Sequence, residues 1–327
     1  MEAKLSVNRT DAVQDKYLCN ESAADVPDEA VISSLLLCVF VGSLSVLITC
    51  GNLLVIISIF YFKQLHTPTN YLILSLAVAD LLVGVLVLPF STILSVNSCW
   101  HLTGFLCKVR GTFDVFLCTS SILNLCFISI DRYYVVCQPL TYRSKMNARV
   151  TALMILVSWA APALLGIGIT LRGINQKPSN MRCNIFQNTK SAIVGTFVGF
   201  YIPATIIFSL YLKILTVALR QARSIQNATK CGAPVNKMES KATKTLAIVV
   251  GIFLTCWAPY FLCMSFYPLS KNAIPVPMIE AFKWFGWSNS MLNPFVYAFF
   301  YKWFRSAFKM IISGKIFQGD FTNTNLS

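Results

Sequence analysis

The sequence predicts an all-α membrane protein, a bundle of seven transmembrane helices followed by a short amphipathic eighth helix. Three observations support this fold class. The chain is 56% hydrophobic and only 12% charged, which is too apolar for a soluble domain of 327 residues. It contains seven apolar stretches that each reach the about 20 residues needed to span a hydrocarbon layer. Its basic residues are concentrated in alternate loops, as in multi-pass membrane proteins.

The seven predicted spans divide the chain into three regions. Residues 1–30 form an extracellular N-terminus and residues 31–301 form the seven-transmembrane bundle. Residues 302–327 form a cytoplasmic tail, in which an amphipathic helix lies on the inner leaflet from Arg305 to Ile312. The predicted spans are residues 31–60, 68–96, 104–138, 147–171, 190–222, 238–268 and 276–301.

The positions of lysine and arginine predict the orientation. The loops after the first, third and fifth spans and the tail are basic, whereas the first 30 residues are acidic, which places the N-terminus outside the plasma membrane. The net charge of +14 is therefore a topology signal, and we expect it to meet lipid headgroups and a cytosolic partner rather than nucleic acid. Asn8 and Asn20 begin sequons in the outer segment and are predicted glycosylation sites.

Most of the twelve cysteines lie inside the predicted spans, where a thiol is a small packing group. Cys19, Cys99, Cys107 and Cys183 face the oxidising exterior. We favour a Cys107–Cys183 disulfide, which ties the top of the third span to the loop before the fifth. The pairing of Cys19 and Cys99 stays open.

Asp114 is the strongest candidate for a binding residue. It lies seven residues after Cys107, about two helical turns into the membrane, and we expect no lysine or arginine of a neighbouring span at its depth. A carboxylate without a partner is energetically unfavourable there, so it is either protonated or paired with a cation. We infer that the partner is a cationic ligand.

Aromatic residues on the outer halves of the sixth and seventh spans support a cation site, because an ammonium group over an aromatic face gains up to ~2 kcal/mol when desolvated. Aromatic residues also fill helix-bundle cores and interfaces for packing alone, which is the commoner explanation for any one of them. The carboxylate favours binding. The predicted ligand-binding residues are Asp114, Val115, Cys118, Thr196, Trp257, Tyr260, Phe261, Met264, Trp284 and Trp287.

A second acid, Asp80, lies in the middle of the second span. Small polar residues at comparable depth can form a hydrated pocket for a sodium ion, and the alternative is a hydrogen-bond cluster that joins the helices. The two interpretations are compatible. The predicted sodium ligands are Asp80, Ser121, Asn289 and Asn293, with Asn52 and Ser290 nearby; no other cofactor or metal is expected.

Seven motifs, one in each span and in order, resemble those of rhodopsin-like (class A) G protein-coupled receptors. Within that class Asp114 matches the aspartate that anchors the amine in aminergic receptors, and residues 289–304 resemble the helix-seven sequence of trace amine-associated receptors. The matching segments are Gly51-Asn52, Leu76 to Asp80, Asp131-Arg132-Tyr133, Trp159, Pro203, Cys256 to Pro259 and Asn293 to Tyr297.

The resemblance implies a conformational switch beneath the ligand site. Trp257 and Phe253 would repack with Ile122 and Pro203 when ligand binds. Arg132 would pair in the resting state with an acid at the Glu239 position, although a local Asp131–Arg132 ion pair that stabilises the helix end explains that dipeptide equally well. The residues assigned to the switch are Asp131, Arg132, Tyr133, Tyr211, Glu239, Phe253 and Tyr297.

Departures from the family pattern bear on the ligand. Trp287 stands where a tyrosine usually hydrogen-bonds the anchoring aspartate. Gly195, Thr196 and Gly199 stand where relatives carry a second acid or serines, which favours a monoamine with little need of a polar far end. Glu280, near the mouth of the seventh span, offers a second cation site for a diamine.

The resemblance therefore implies an olfactory receptor for small amines that raises cyclic AMP through a stimulatory G protein, with arrestin and a receptor kinase as further partners. The alternative is a conventional neurotransmitter-amine receptor for a ligand such as serotonin or histamine. A transporter or channel fits less well because the span count is odd and the chain shows no internal repeat. An enzyme fits least, since His66 and His101 lie on opposite sides of the membrane and no nucleophile–base cluster is present.

Overall fold

A computed structural model of the chain describes residues 28–96, 103–174, 189–229, 237–266, 275–319, 321–324 and 326. Within these ranges the chain is helical and contains no strand, which confirms the all-α class. The helices are α1 (Asp28–Tyr61), α2 (Pro68–Leu82, continued as Val83–Val87 and Leu88–Val96), α3 (Thr103–Cys137), α4 (Ala148–Ile174), α5 (Thr189–Thr196, continued as Phe197–Tyr201 and Ile202–Thr229), α6 (Lys237–Phe266), α7 (Val276–Trp287 and Asn289–Phe300) and α8 (Lys302–Ile312).

The apolar surfaces of these helices fit a lipid environment. Large side chains such as Leu36, Phe60, Leu164 and Phe299 are more than half exposed, although a protein in water would bury them. Within the described residues, five segments are long and apolar enough to cross a membrane: Leu35–Tyr61, Pro68–Ile93, Val109–Cys137, Ala148–Gly168 and Ile193–Val217. The shorter apolar segment of α6 is Gly251–Phe266, and α7 is divided at Ser288.

Two helices contain a π-helical turn that the periodicity of the sequence did not predict. Val83–Val87 in α2 ends two residues before Pro89, and Phe197–Tyr201 in α5 ends two residues before Pro203. Proline lacks an N–H group and its ring crowds the preceding turn, so the backbone accommodates it with a wider turn. The extra residue shifts which side chains face the bundle on either side of it.

Buried polar contacts join the helices across the bundle, as is usual where lipid surrounds the protein. The Trp159 indole N–H donates to Ser75 Oγ at 2.9 Å and thereby joins α4 to α2. Asn52 Nδ2 donates to the backbone oxygen of Ser290 at 3.1 Å and joins α1 to α7. These contacts join α1 and α4 to α7 and α2, respectively, two of the helices that contribute to the Asp80 cluster.

The C-terminal segment folds back on the C-terminal end of α1. Helix α8 begins at Lys302, three residues earlier than predicted, and buries Phe304, Ala307 and Phe308 while Lys302 and Lys309 stay exposed. Beyond it, three hydrogen bonds anchor the tail to the end of α1 and the following turn. Lys63 N donates to the backbone oxygen of Thr322 at 3.0 Å, and the backbone N–H groups of Phe321 and Leu326 donate to Tyr61 Oη at 3.2 Å and Gln64 Oε1 at 2.8 Å.

Candidate ligand-binding site

Asp114 lies on the inward face of α3 and is 7% exposed. Its Oδ1 accepts a hydrogen bond from the Trp287 indole N–H at 2.9 Å, across the bundle from α7. The same oxygen accepts from the Cys118 thiol, one turn further along α3, at 3.3 Å. The structure thus brings together Asp114, Cys118 and Trp287 from the predicted site, and the indole takes the place predicted for it.

One expectation about Asp114 is wrong. Its carboxylate does have a basic partner inside the bundle: Lys283 Nζ on α7 lies 2.9 Å from Asp114 Oδ2, and both side chains are about nine-tenths buried. The ammonium group also lies 5.1 Å from the centre of the Trp287 ring. Lys283 stands four residues before Trp287, so it shares the face of α7 that was already assigned to the site, and that spacing was the available signal.

Aromatic side chains form the floor and one wall of the site. Trp257 is 5% exposed, and its ring lies 5.6 Å from Phe261 and 6.2 Å from Tyr260. Phe261 stacks on Phe200 of α5 at 4.2 Å with an interplanar angle of 11°. Trp284 meets Trp287 edge to face at 4.7 Å. The predicted aromatic residues of α6 and α7 therefore form two continuous clusters, which meet where α7 approaches Trp257.

That approach requires a glycine. A Cβ atom at Gly286 would lie 2.7 Å from Cε3 of Trp257 and 2.8 Å from its Cζ3. Real Cβ contacts are longer than this, so any other residue would move the indole or separate α7 from α6. Gly286 is the neighbour of Trp287, and the contact therefore connects the Asp114 partner with the floor of the site.

The remaining predicted ligand residues are placed less centrally. Val115 and Met264 are half-buried, and no polar contact links them to Asp114. Thr196 is buried, but it lines a groove of about 710 Å³ on the outer side of α5 and α6, together with Phe197, Tyr201 and Ser265. Because Thr196 immediately precedes the π-helical turn of α5, the regular helical period did not predict this position.

Two further charged residues lie one helical turn before Asp114 and Lys283; the sequence did not assign Arg110 to the site, and it offered Glu280 as a second cation site for a diamine. On α3, Arg110 precedes Asp114 by four residues, is 7% exposed, and donates from Nε to Ser91 Oγ at 2.9 Å. On α7, Glu280 precedes Lys283 by three. Arg110, Glu280 and Asp114 are all close enough to Tyr260 to act on its hydroxyl electrostatically. Within the described part of the chain, the site is therefore lined by charges of both signs.

The polar cluster around Asp80 is assembled as predicted for a hydrogen-bond network. Asp80 is fully buried; Oδ1 accepts from Ser121 and Ser290, each at 2.8 Å, and Oδ2 accepts from Asn293 at 2.7 Å. Asn289, also predicted as a sodium ligand, is 2% exposed, and its Oδ1 is buried without a hydrogen-bond partner among the described residues. These side chains supply several oxygen atoms of the kind that a hard cation prefers.

Near the C-terminal end of α3, Asp131 has three partners. Arg132 Nη2 lies 3.2 Å from Oδ2, Thr69 donates to Oδ2 at 2.8 Å, and Tyr142 of the short helix Pro139–Lys145 donates to Oδ1 at 3.0 Å. Partial burial raises the pKa of the Tyr142 hydroxyl above its ordinary value, so it remains a donor. The local ion pair that was weighed for Asp131 and Arg132 is therefore present.

Other residues assigned to the switch lie between the Asp114 site and the Arg132 end of the bundle. Phe253 is 1% exposed and lies 5.9 Å from Phe200, and Tyr297 packs against Phe304 of α8 at 5.6 Å. The buried hydroxyl of Tyr211 has no hydrogen-bond partner in the described ranges. Tyr133 lies edge to face with Tyr134 at 5.7 Å.

Several predicted features lie outside the described residues or side chains. They are the Cys107–Cys183 disulfide, the pairing of Cys19 and Cys99, the sequons at Asn8 and Asn20, and the side chain of Glu239.

Comparison with known proteins establishes the class. The chain matches the family model of the 7 transmembrane receptor (rhodopsin family) over residues 51–297. It is 45% identical to trace amine-associated receptor 1 of Mus musculus over 84% of this chain and 88% of the relative. For the human receptor of the same name the identity is 43%, with 84% and 87% covered, and for trace amine-associated receptor 4 of Mus musculus it is 38%, with 94% and 93% covered.

The fold and these matches define a rhodopsin-like seven-transmembrane receptor, a multi-pass membrane protein that acts through a G protein. Within that class, the chain belongs to the trace amine-associated receptors. Both the predicted fold class and the predicted family are confirmed. The chain is a receptor and not an enzyme.

Proposed function

We propose that this receptor detects a small organic amine whose ammonium group pairs with Asp114. One observation carries the proposal: the site already holds an ammonium group. Lys283 Nζ lies 2.9 Å from the Asp114 carboxylate and 5.1 Å from the centre of the Trp287 ring, which are the contacts that a ligand amine would make. The names of the relatives identify them as receptors associated with trace amines, which agrees with this ligand class.

A ligand amine has to displace Lys283 from Asp114. The four-carbon stem of lysine is flexible, and Glu280 lies one turn away on the same helix with a buried carboxylate oxygen that has no partner among the described residues. Asp114 can therefore change partners without leaving the lysine ammonium uncompensated inside the bundle. The exchange alters the connection between α3 and α7.

The path from this site to the cytoplasm runs through packed aromatic residues. Trp287 contacts Asp114, and its neighbour Gly286 brings α7 against Trp257. Below Trp257, the buried Phe253 packs beside Phe200 of α5. A ligand that binds one arrangement of these side chains better than the other shifts the equilibrium between them. We propose that the shifted arrangement separates Arg132 from Asp131 and opens the cytoplasmic side.

We propose the partners that the resemblance to the receptor family implies. The N-terminus is outside the plasma membrane, and Arg132 faces a stimulatory or olfactory-type G protein that raises cyclic AMP. A receptor kinase and arrestin then act on the cytoplasmic side, and the receptor serves olfaction. In the bundle core, a sodium ion binds beside Asp80, where Ser121, Asn289 and Asn293 supply neutral oxygen ligands and the ion acts allosterically on amine binding.

The test is a panel of volatile monoamines, diamines, serotonin and histamine in cells that report cyclic AMP. The wild-type receptor, Asp114→Asn and Asp114→Glu are compared at equal surface expression. Asparagine keeps the shape and the tryptophan contact but removes the charge, so the potency of the amine should fall at least ~100-fold, about 2.7 kcal/mol. Glutamate should retain part of the response. An undiminished response in Asp114→Asn would exclude Asp114 as the anchor.

A further inference from the structure

Four charged side chains converge between α3 and α7 in the outer half of the bundle. Arg110 and Asp114 are one helical turn apart on α3, and Glu280 and Lys283 are one turn apart on α7. Lys283 pairs with Asp114 at 2.9 Å, and Arg110 is close enough to act on the same carboxylate. Among the described residues this cluster has two acids and two bases, and its formal charge is zero.

Two atoms of the cluster have unmet bonding capacity. Arg110 is only 7% exposed. Its Nε donates to Ser91, but its Nη2 makes no hydrogen bond among the described residues. Glu280 Oε2 is buried without a partner in the same part of the chain. A buried guanidinium N–H group without an acceptor is unfavourable, and an anionic oxygen is the acceptor it binds best.

The charge of the ligand decides what its binding costs. A simple amine brings one positive charge into a neutral, largely buried cluster. If Lys283 then moves to Glu280, the Arg110 guanidinium is left as a buried cation without an acid. A molecule with both an ammonium and a carboxylate group adds no net charge. Its carboxylate can take the lysine ammonium that its own ammonium group displaces from Asp114, so that no buried charge is left alone.

We propose that the ligand of this receptor is an amino acid, an amine that also carries a carboxylate group. Its ammonium group pairs with Asp114 beside Trp287, and its carboxylate binds Lys283 Nζ and Arg110 Nη2. This assignment rests on the proposed function, because it uses Asp114 as the amine anchor. The sequence of α5 favoured a ligand with little need of a polar group at the end far from its amine. The proposed ligand differs in carrying an anionic group, which binds near the Asp114 end of the site.

The experiment uses amino acids and the amines formed by removal of their carboxylate: leucine with isopentylamine, phenylalanine with phenethylamine, and 4-aminobutyrate with propylamine. Each compound is measured by cyclic AMP in cells and by thermal stabilisation of the purified full-length receptor, which does not depend on the G protein. The wild type is compared with Lys283→Met, Lys283→Arg, Arg110→Gln and Asp114→Asn at measured surface expression.

In at least one pair the amino acid should act at a concentration at least tenfold lower than its amine. Lys283→Met should weaken the amino acid at least tenfold and leave the amine equal or stronger, while Lys283→Arg restores the preference. Greater potency of every amine on the wild type, with Lys283→Met changing both members of a pair equally, would overturn the inference and leave the amine proposal standing. Responses that survive Asp114→Asn, or no response and no stabilisation by any compound, would overturn both.

Discussion

Lys283 and Asp114 form a salt bridge of 2.9 Å between α7 and α3, in the part of the bundle where we propose the ligand site. Both side chains are about nine-tenths buried, so water compensates neither charge well. The pair therefore has two consequences. It couples two helices in the ligand-free receptor, and any cation that takes Asp114 has to break this coupling.

Removing one partner of the pair should destabilise the ligand-free receptor more than removing both. Lys283→Met leaves the Asp114 carboxylate buried without its ion-pair partner and with Arg110 as the remaining nearby cation, which costs up to about 3–5 kcal/mol in comparable sites. Adding Asp114→Asn removes the uncompensated charge, so the double variant should recover most of the loss. Thermal unfolding of the purified receptor without ligand measures all four members of the cycle. Additive losses would show that the two residues are not coupled.

The contact between Gly286 and Trp257 gives a second prediction, and Gly251 provides a matched control. In Gly286→Ala the new methyl group would lie 2.7 Å from the Trp257 indole. We therefore expect the free energy of unfolding to fall by about 1–3 kcal/mol and basal signalling to change as Trp257 shifts. Gly251 is also helical, but nothing lies within 4 Å of its added Cβ. Gly251→Ala should therefore be neutral or stabilise α6 by up to about 1 kcal/mol.

Thermal unfolding and ligand-free cyclic AMP, measured at equal expression, distinguish the two alanine variants. If Gly286→Ala matched Gly251→Ala in both measurements, the close approach of α7 to Trp257 would affect neither the stability nor the basal signalling of the receptor.

Much of the site was predictable because its residues lie at helical spacing around Asp114, a carboxylate whose burial inside a membrane span is energetically unfavourable. A carboxylate inside a span predicted Asp114, and helical spacing put Trp284 and Trp287 on one face of α7. The family resemblance, in which Trp287 replaces a tyrosine, implied that the indole would meet the carboxylate. Lys283 shares that face, yet it was not placed near Asp114. Helical spacing defines the face of a residue but not how far a long side chain reaches along it, and the lysine ammonium extends about one turn from its own backbone.

The position of Thr196 was not predictable for a different reason. Pro203 indicates that the helical hydrogen bonding of α5 is disturbed, but it does not show whether the backbone responds with a kink or with a wider turn. The structure has a π-helical turn at Phe197–Tyr201, and Thr196 lies against the outer groove. By contrast, Asp80, Ser121 and Asn293 lie on regular stretches of three helices, and their predicted meeting is observed.

The contacts of Asp131 predict an effect on basal signalling. In Asp131→Asn the side-chain oxygen can still accept a hydrogen bond, but the ion pair with Arg132 at 3.2 Å is lost. Both side chains of this pair are largely buried, so its loss costs at least as much as that of an exposed ion pair, about 1 kcal/mol, and ligand-free cyclic AMP should rise at least about fivefold. Tyr142→Phe removes one hydrogen bond at 3.0 Å and keeps the ion pair, and we expect a smaller rise. Equal basal signals in the wild type and Asp131→Asn would contradict a resting role for the pair.

The Asp80 cluster provides a prediction that needs no ligand. If sodium binds beside Asp80, the purified receptor should unfold at a higher temperature in sodium chloride than in choline chloride at the same ionic strength. A sodium concentration of about ten times Kd stabilises the receptor by about 1.4 kcal/mol. Asp80→Asn keeps the hydrogen-bond acceptor for Ser121 and Ser290 but removes the charge that attracts the ion, so the difference between the two salts should disappear. A salt difference of unchanged size in Asp80→Asn would place the sodium effect elsewhere and leave the cluster as a hydrogen-bonded junction of α2, α3 and α7.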